Sequence, residues 1–181
     1  MTNVMVLGVL LTYGPMSGYE IQQKMHSAKT NKWAYVKPAS IYHALRKLES
    51  EKLVSIKTIE QTGNRSKAIY EITLLGIDTF DDMVINSFKK PSVVFPTVLY
   101  TALTFIDEAP REQIIQAIKV QQQDIMDIYE EMKEGQVEKE KMMEVPKNVL
   151  LIFENIYDQC ELQLGFLENL LTTLEGGNKS L

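Results

Sequence analysis

The chain has 181 residues, 45% of them hydrophobic and 24% charged, with a formal net charge of -5, a composition that fits one ordinary globular domain or two small ones. No apolar run approaches the roughly 20 residues that cross a bilayer, and a single cysteine, Cys160, excludes an internal disulfide framework or a cysteine zinc site. The longest apolar run, Val4 to Leu11, is short, contains Gly8 and lacks a basic flank, so no signal peptide is expected and the cytoplasm is the expected compartment.

The net charge averages two unlike halves. Residues 1–75 carry ten Lys/Arg and five Asp/Glu, a net +5, whereas residues 91–181 carry seven and sixteen, a net -9. Such asymmetry suggests a basic working domain joined to an acidic one, although solvated charges can also cluster by chance.

In chain order, the apolar segment Val4 to Tyr13 reads as a first helix, ended by Gly14-Pro15 because proline biases the preceding residue away from helical angles. Ser17 and Glu20 have capping-box spacing and open a second helix that ends near Ser27. A polar stretch, Lys29 to Lys32, leads to Trp33 and Tyr35. Pro38 opens a third helix, capped either by Lys37 from its position or by Ser40 from its chemistry. Ile41, Ala44, Leu45 and Leu48 form its buried stripe, with Ser40, His43, Arg46, Lys47 and Glu51 on the other side. After Leu53 the period changes to two. Residues 54–58 and 68–72 read as strands, joined by a loop containing Gly63-Asn64 and tipped by Arg65 and Lys67. Thr73 caps a fourth helix running towards Phe88.

Lys89-Lys90-Pro91 and Pro96 mark a junction. Beyond it Ile114, Ile118, Gln121, Ile125, Ile128 and Met132 form one helical seam, expected to break at Gly135 and the charged run Glu138 to Lys141. Pro146 precedes a second long helix with Val149, Phe153, Ile156, Cys160, Leu164, Leu167, Leu171 and Leu174 on one face. Gly176-Gly177 end it, and the last four residues are expected to be disordered. The expected organisation is a winged helix-turn-helix DNA-binding domain (residues 1–88), a linker (89–96) and a C-terminal helical dimerisation domain (97–181), in a mostly α fold whose wing has two strands.

Three short helices and a basic hairpin suit DNA. A helix offers polar side chains to base edges in the major groove, and Arg65 and Lys67 at the hairpin tip can neutralise phosphates. The same fold also supports purely protein contacts. Catalysis is not expected, because two histidines and one cysteine lie far apart with no phosphate-cradling loop, metal-ligand spacing or nucleophile elbow. No cofactor or metal is expected either.

Several ordered motifs then carry a family resemblance. They are Leu7-Gly8 with Leu10-Leu11, Gly14-Pro15-Met16-Ser17-Gly18-Tyr19-Glu20-Ile21, Ser40-Ile41-Tyr42-His43-Ala44-Leu45 with Leu48-Glu49, Leu53-Val54, and Tyr70-Glu71-Ile72-Thr73 with Gly76. Over residues 4–80 the chain resembles the PadR family of transcriptional regulators. Its acidic helical tail is similar to the longer branch of that family in architecture and length. The resemblance implies a homodimer joined through the C-terminal helices, double-stranded operator DNA of near-palindromic sequence as partner, repression, and release by a small aromatic or hydrophobic effector.

Carried over residue by residue, it implies DNA contacts from Ser17 and Tyr19 in the second helix and from Lys37, Ser40, Tyr42, His43, Arg46 and Lys47 in the third. Asn64, Arg65 and Lys67 would supply the wing contacts. Dimerisation falls to Ile114, Ile118, Ile125, Met132, Phe153, Ile156, Leu164, Leu167 and Leu171, whose long apolar faces exceed what one helical hairpin is expected to bury against itself. Lys52 stands where the family usually has a glycine, so the turn after the third helix is expected to be strained or differently shaped. The stretch between Trp33 and Tyr42 also reads one residue longer than usual. Blander roles are open for several residues: Tyr42 as part of the core, Glu49 as an electrostatic tie between helices, His26 as a helix cap, Trp33 as packing, and Cys160 as a small buried hydrophobe. Two other readings of the whole stand beside the regulator: a winged-helix protein-interaction module, and a small-molecule-binding helical protein with a vestigial DNA role.

Overall fold

The computed structural model describes residues 1–62 and 65–176, with the side chains of Thr62 and Arg65 left aside. The chain divides into two units, Met1–Val93 and Val94–Leu181. No helix among the described residues is long and apolar enough to cross a membrane.

In the first unit the apolar N-terminal run forms α1 (Thr2–Tyr13), ended where Gly14 turns to φ 82°. The strand β1 (Met16–Ser17) then leads into α2 (Gly18–Ser27). A four-residue helix, α3 (Thr30–Trp33), and α4 (Pro38–Ser50) follow. The hairpin is β2 (Val54–Thr62) with β3 (Arg65–Ile72), and α5 (Leu74–Ser87) closes the unit. The sheet is antiparallel in the order β1-β3-β2, with Met16 opposite Tyr70 and Val54 opposite Ile72. The ladder slips by one residue between Ile56 and Thr58.

The expected wing thus gains a third strand, and both hairpin strands run closer to the tip than their alternation indicated. Val6, Leu7 and Leu10 of α1 meet Ile21 and Met25 of α2 and the α4 stripe Ile41, Ala44, Leu45 and Leu48, with Phe80 and Met83 of α5 packed against this core. Complete burial of each such leucine contributes roughly 1.5–3 kcal/mol.

The end of α4 is a Schellman motif. Lys52 adopts φ 60°, its N–H bonds Glu49 O at 2.9 Å, and the Leu53 N–H reaches Leu48 O at 2.8 Å. This pairing satisfies carbonyls that the helix end would otherwise leave open. The residue standing in place of glycine therefore adopts the glycine conformation. Leu53 also fixes the next helix: its carbonyl accepts the Thr73 N–H at 3.0 Å and the Thr73 hydroxyl at 3.2 Å, while that hydroxyl caps α5 by accepting from Gly76 N at 3.0 Å. The two elements approach so closely that a Cβ on Gly76 would collide with the Leu53 carbonyl oxygen.

The second unit contains α6 (Thr97–Thr104), a short 3-10 turn (Ile106–Glu108), α7 (Arg111–Met142) and α8 (Lys147–Glu175). The expected break in α7 does not occur. Glu138 to Lys141 are good helix formers, supported by a Gln136–Glu140 side-chain bond of 2.7 Å, and Gly135 is buried within the packed helix. The cross-links Lys119–Glu175, Gln122–Glu168, Tyr129–Glu161 and Gln136–Tyr157 show that α7 and α8 run antiparallel. The position of the last residues, from Gly177 onward, lies outside the described chain.

Candidate nucleic-acid interface

The interface begins at the capping box of α2. The Ser17 hydroxyl accepts from Glu20 N at 3.3 Å and donates to Glu20 Oε2 at 2.7 Å, while the Ser17 N–H donates to the same carboxylate at 2.8 Å. Ser17 is only 3% exposed. Its hydroxyl opens the helix and is not offered to solvent, which separates Ser17 from the other expected contacts. Tyr19, two residues on, is 61% exposed.

At the start of α4 the N-cap position is Lys37, but the chemistry is Ser40's. The Ser40 hydroxyl accepts from Lys37 N at 3.1 Å and donates to Lys37 O at 2.6 Å. Both candidates for the cap therefore share it. Along the helix Tyr42, His43, Arg46 and Lys47 are all exposed, opposite the buried stripe. Tyr42 is both open and packed: it is 42% exposed, and a Cβ on Gly18 would stand 2.7 Å from the ring edge. The helix α4 thus rests on the first turn of α2 through an aromatic ring and a residue with no side chain.

Charge on this face is arranged in pairs. Burial, helped by Glu49, pushes the Tyr70 phenol of β3 above its ordinary value, while Arg46 acts in the opposite direction. Glu49 is half-buried. Lys67 is not a free wing cation: its ammonium lies 3.1 Å from Glu20 Oε1 and 3.7 Å from Glu60 Oε2. The Ser17 backbone N–H and hydroxyl, followed by Lys67, hold the Glu20 carboxyl at about 2, well below its usual 4.5. Lys47 pairs with Glu51 at 3.8 Å, Lys57 with Glu71 at 3.3 Å, and Lys24 lies 4.3 Å over the Tyr13 ring. Lys37 and Arg46 have no carboxylate partner among the described residues. Asn64 lies outside the described residues, as does the Arg65 side chain, although the Arg65 backbone continues β3 opposite Thr62.

Two features escaped the sequence. The short strand β1 ties the start of α2 to the wing, and two residues give no periodicity to detect. The Glu20–Lys67 bridge spans 47 positions, and no local pattern marks it. By contrast, the substitution of lysine for glycine at position 52 did signal the left-handed turn.

The residues expected at a subunit interface divide differently. Ile118, Met132, Phe153, Leu167 and Leu171 are buried within the single chain, and Ile114, Ile125, Ile156 and Leu164 are half-buried. The α7–α8 pair therefore buries more of these faces than expected, because Leu170 and Leu174 join the cluster around Ile118. Ile128, counted in the seam, is exposed. The apolar side chains left in solvent lie elsewhere, at Val120, Met126, Leu151, Ile152, Leu162 and Phe166. Cys160 is half-buried, and desolvation, with a contribution from Glu161, pushes its thiol above the ordinary range.

A helical trio carrying an antiparallel wing, followed by a long helical extension, defines a winged helix-turn-helix protein. The same architecture occurs in Bacillus subtilis PadR in complex with operator DNA, with 21% identity, a TM-score of 0.76, and 95% of this chain and 96% of that chain covered. It recurs in Bacillus subtilis PadR in complex with p-coumaric acid (20%, TM-score 0.73, 96% and 98% covered) and in a PadR-like transcriptional regulator from Bacillus cereus (19%, 0.68, 95% and 94%). No curated protein matches the chain in sequence. Residues 6–82 match the Transcriptional regulator PadR-like family. That match places a PadR-like domain in the first unit, and the likeness to the solved structures extends the shared fold over nearly the whole chain.

Proposed function

We propose that the chain is a cytoplasmic, dimeric repressor that reads a near-palindromic operator. In this reading residues 1–88 bind DNA, 89–96 link and 97–181 dimerise. The exposed row of Tyr42, His43, Arg46 and Lys47 on α4 carries the proposal, since a helix with this polar face suits the major groove. Two copies would set two such helices about one DNA turn apart. Exposed apolar residues on α7 and α8 support a second copy as the partner of the acidic unit. The acidity of that unit would repel phosphate and direct the basic half towards it.

A small effector fits as well. The Bacillus subtilis neighbour is described in complex with p-coumaric acid, and this chain has an apolar cleft of about 650 Å³ beside α6 and α7, lined by Phe95, Val98, Leu99, Ile114, Ile118 and Gln121. Binding there would favour one packing of the helices and so change the spacing of the reading heads.

The experiment is a fluorescence-anisotropy titration against DNA from upstream of the protein's own gene, beside a scrambled duplex, at two salt concentrations, with the mass measured by light scattering. Tight selective binding by a dimer is the expected result. Absence of binding to either duplex at low salt overturns the reading in favour of a protein-interaction module.

A further inference from the structure

Tyr35 is held by its neighbours in a strained conformation that its own side chain does nothing to stabilise. Its φ is 52°, in the left-handed region that strains any residue except glycine. Its side chain is 82% exposed, and its phenol has no hydrogen bond and its ring no aromatic partner among the described residues. The strain is imposed from both sides. Ala34 and Val36 are buried, at 2% and 5% exposure. Both of their N–H groups bond Thr30 O, at 3.0 and 3.2 Å, and Thr30 is itself buried with its hydroxyl on Met25 O at 3.0 Å. Trp33 fastens the preceding turn through its indole N–H to Ala28 O at 2.9 Å. The knuckle is rigid, and only the phenol projects from it.

Its place in the chain says what it faces. Tyr35 stands two residues before Lys37, the N-cap of α4. A recognition helix enters the major groove with its N-terminal residues against the bases, so the backbone leading into it crosses at the level of the phosphates. We infer that Tyr35 is a DNA-backbone contact, its hydroxyl donating to a phosphate oxygen at the edge of the groove that α4 occupies. This rests on the DNA-binding reading above. A rigid aromatic arm loses little conformational freedom on binding, and the hydroxyl it carries is a good phosphate donor.

The test uses the full chain, Tyr35→Gly and Tyr35→Phe, titrated against the upstream duplex and the scrambled duplex. Both variants are expected to bind both duplexes about tenfold more weakly or worse. The salt slope is expected to stay as in the parent, since a neutral donor displaces no counterion. Tyr35→Gly, released from strain, is expected to melt at the parent temperature or up to about 3 °C above it. A structural role would give the opposite result, with a lower melting temperature.

Parent-like binding by Tyr35→Phe overturns the inference, as does a loss confined to one duplex. A lowered melting temperature or altered mass of Tyr35→Gly assigns the side chain to folding or to a subunit contact and overturns it too. A parent that binds neither duplex at low salt removes the DNA reading itself, a result distinct from all of these because the variants then have nothing to lose.

Discussion

Replacing Gly76 by alanine should damage the winged-helix unit far more than one methyl group suggests. The new Cβ would overlap the Leu53 carbonyl oxygen and stand 2.8 Å from Ile72 Cγ1. The isoleucine can turn aside, but the carbonyl is held, because its peptide group leads directly into β2, where Val54 pairs with Ile72 of β3. The helix α5 must therefore back away. Doing so gives up the Thr73 N–H and hydroxyl bonds to the carbonyls of Lys52 and Leu53, at about 1 kcal/mol for each of the two donors and more for the peptide dipoles left unpaired. Alanine's better helix propensity returns about 1 kcal/mol, leaving a net loss of about 1 kcal/mol or more before any loosening of Phe80 and Met83 on the core. For a chain of this size each such kcal/mol lowers Tm by about 2–4 °C. Urea unfolding followed by circular dichroism should show a lower midpoint at constant slope. Gly165→Ala is the matched control: nothing lies within 4 Å of a Cβ there, in the interior of α8, so the same exchange should stabilise by about 1 kcal/mol. Equal stability of Gly76→Ala and the parent would refute the steric argument, and so would equal losses at the two glycines.

Lys52→Gly should be more stable than the parent by about 0.5 kcal/mol, because removal of left-handed strain slightly outweighs the added freedom of the unfolded chain; Lys52→Ala, which keeps the strain, should show no such gain in the same urea assay. The Glu20 carboxyl titrates at about 2 in the folded chain against 4.5 ordinarily, so its contribution is full above the higher value and fades as pH falls through the lower one. The stability gap between the parent and Glu20→Gln should therefore be widest near about pH 7 and close on acidification, by a modest amount because the group is half-exposed. Arg46→Ala should weaken operator binding by about 1–3 kcal/mol and relax base preference in anisotropy titrations. Lys67→Ala should weaken binding to all sequences alike and change the salt slope by less than about one unit, since two carboxylates already neutralise that ammonium.

What could be read from the sequence was what local chemistry determines. Ser17 with Glu20, Pro38 and Thr73 placed three helix starts, since each cap is settled within four residues. The α4 stripe was equally plain, because its apolar spacing maps directly onto a buried face. Contacts between distant segments were not legible. Ser17 looked like a surface hydroxyl until strand pairing with Ile69 and the Glu20 carboxylate enclosed it. Lys67 looked like a free cation until the fold brought Glu20 beside it. In the helical unit, periodicity identified apolar faces but could not say whether the partner was the same chain or another. Five of the nine residues expected at a subunit interface are buried within this chain.

The junction around Leu53 has a mechanical consequence. A single residue, Leu53, carries the end of α4 on its N–H and the start of α5 on its carbonyl, with the first residue of β2 next along the chain. There is little slack in that joint, because each bond is short and the glycine across from it leaves no gap to compress. A push delivered along α5 would reach α4 as a rotation of one stiff body and not as a bend within it. Any signal arriving by that route would re-aim α4 intact, like a key turned by its bow, and would leave its row of side chains in register.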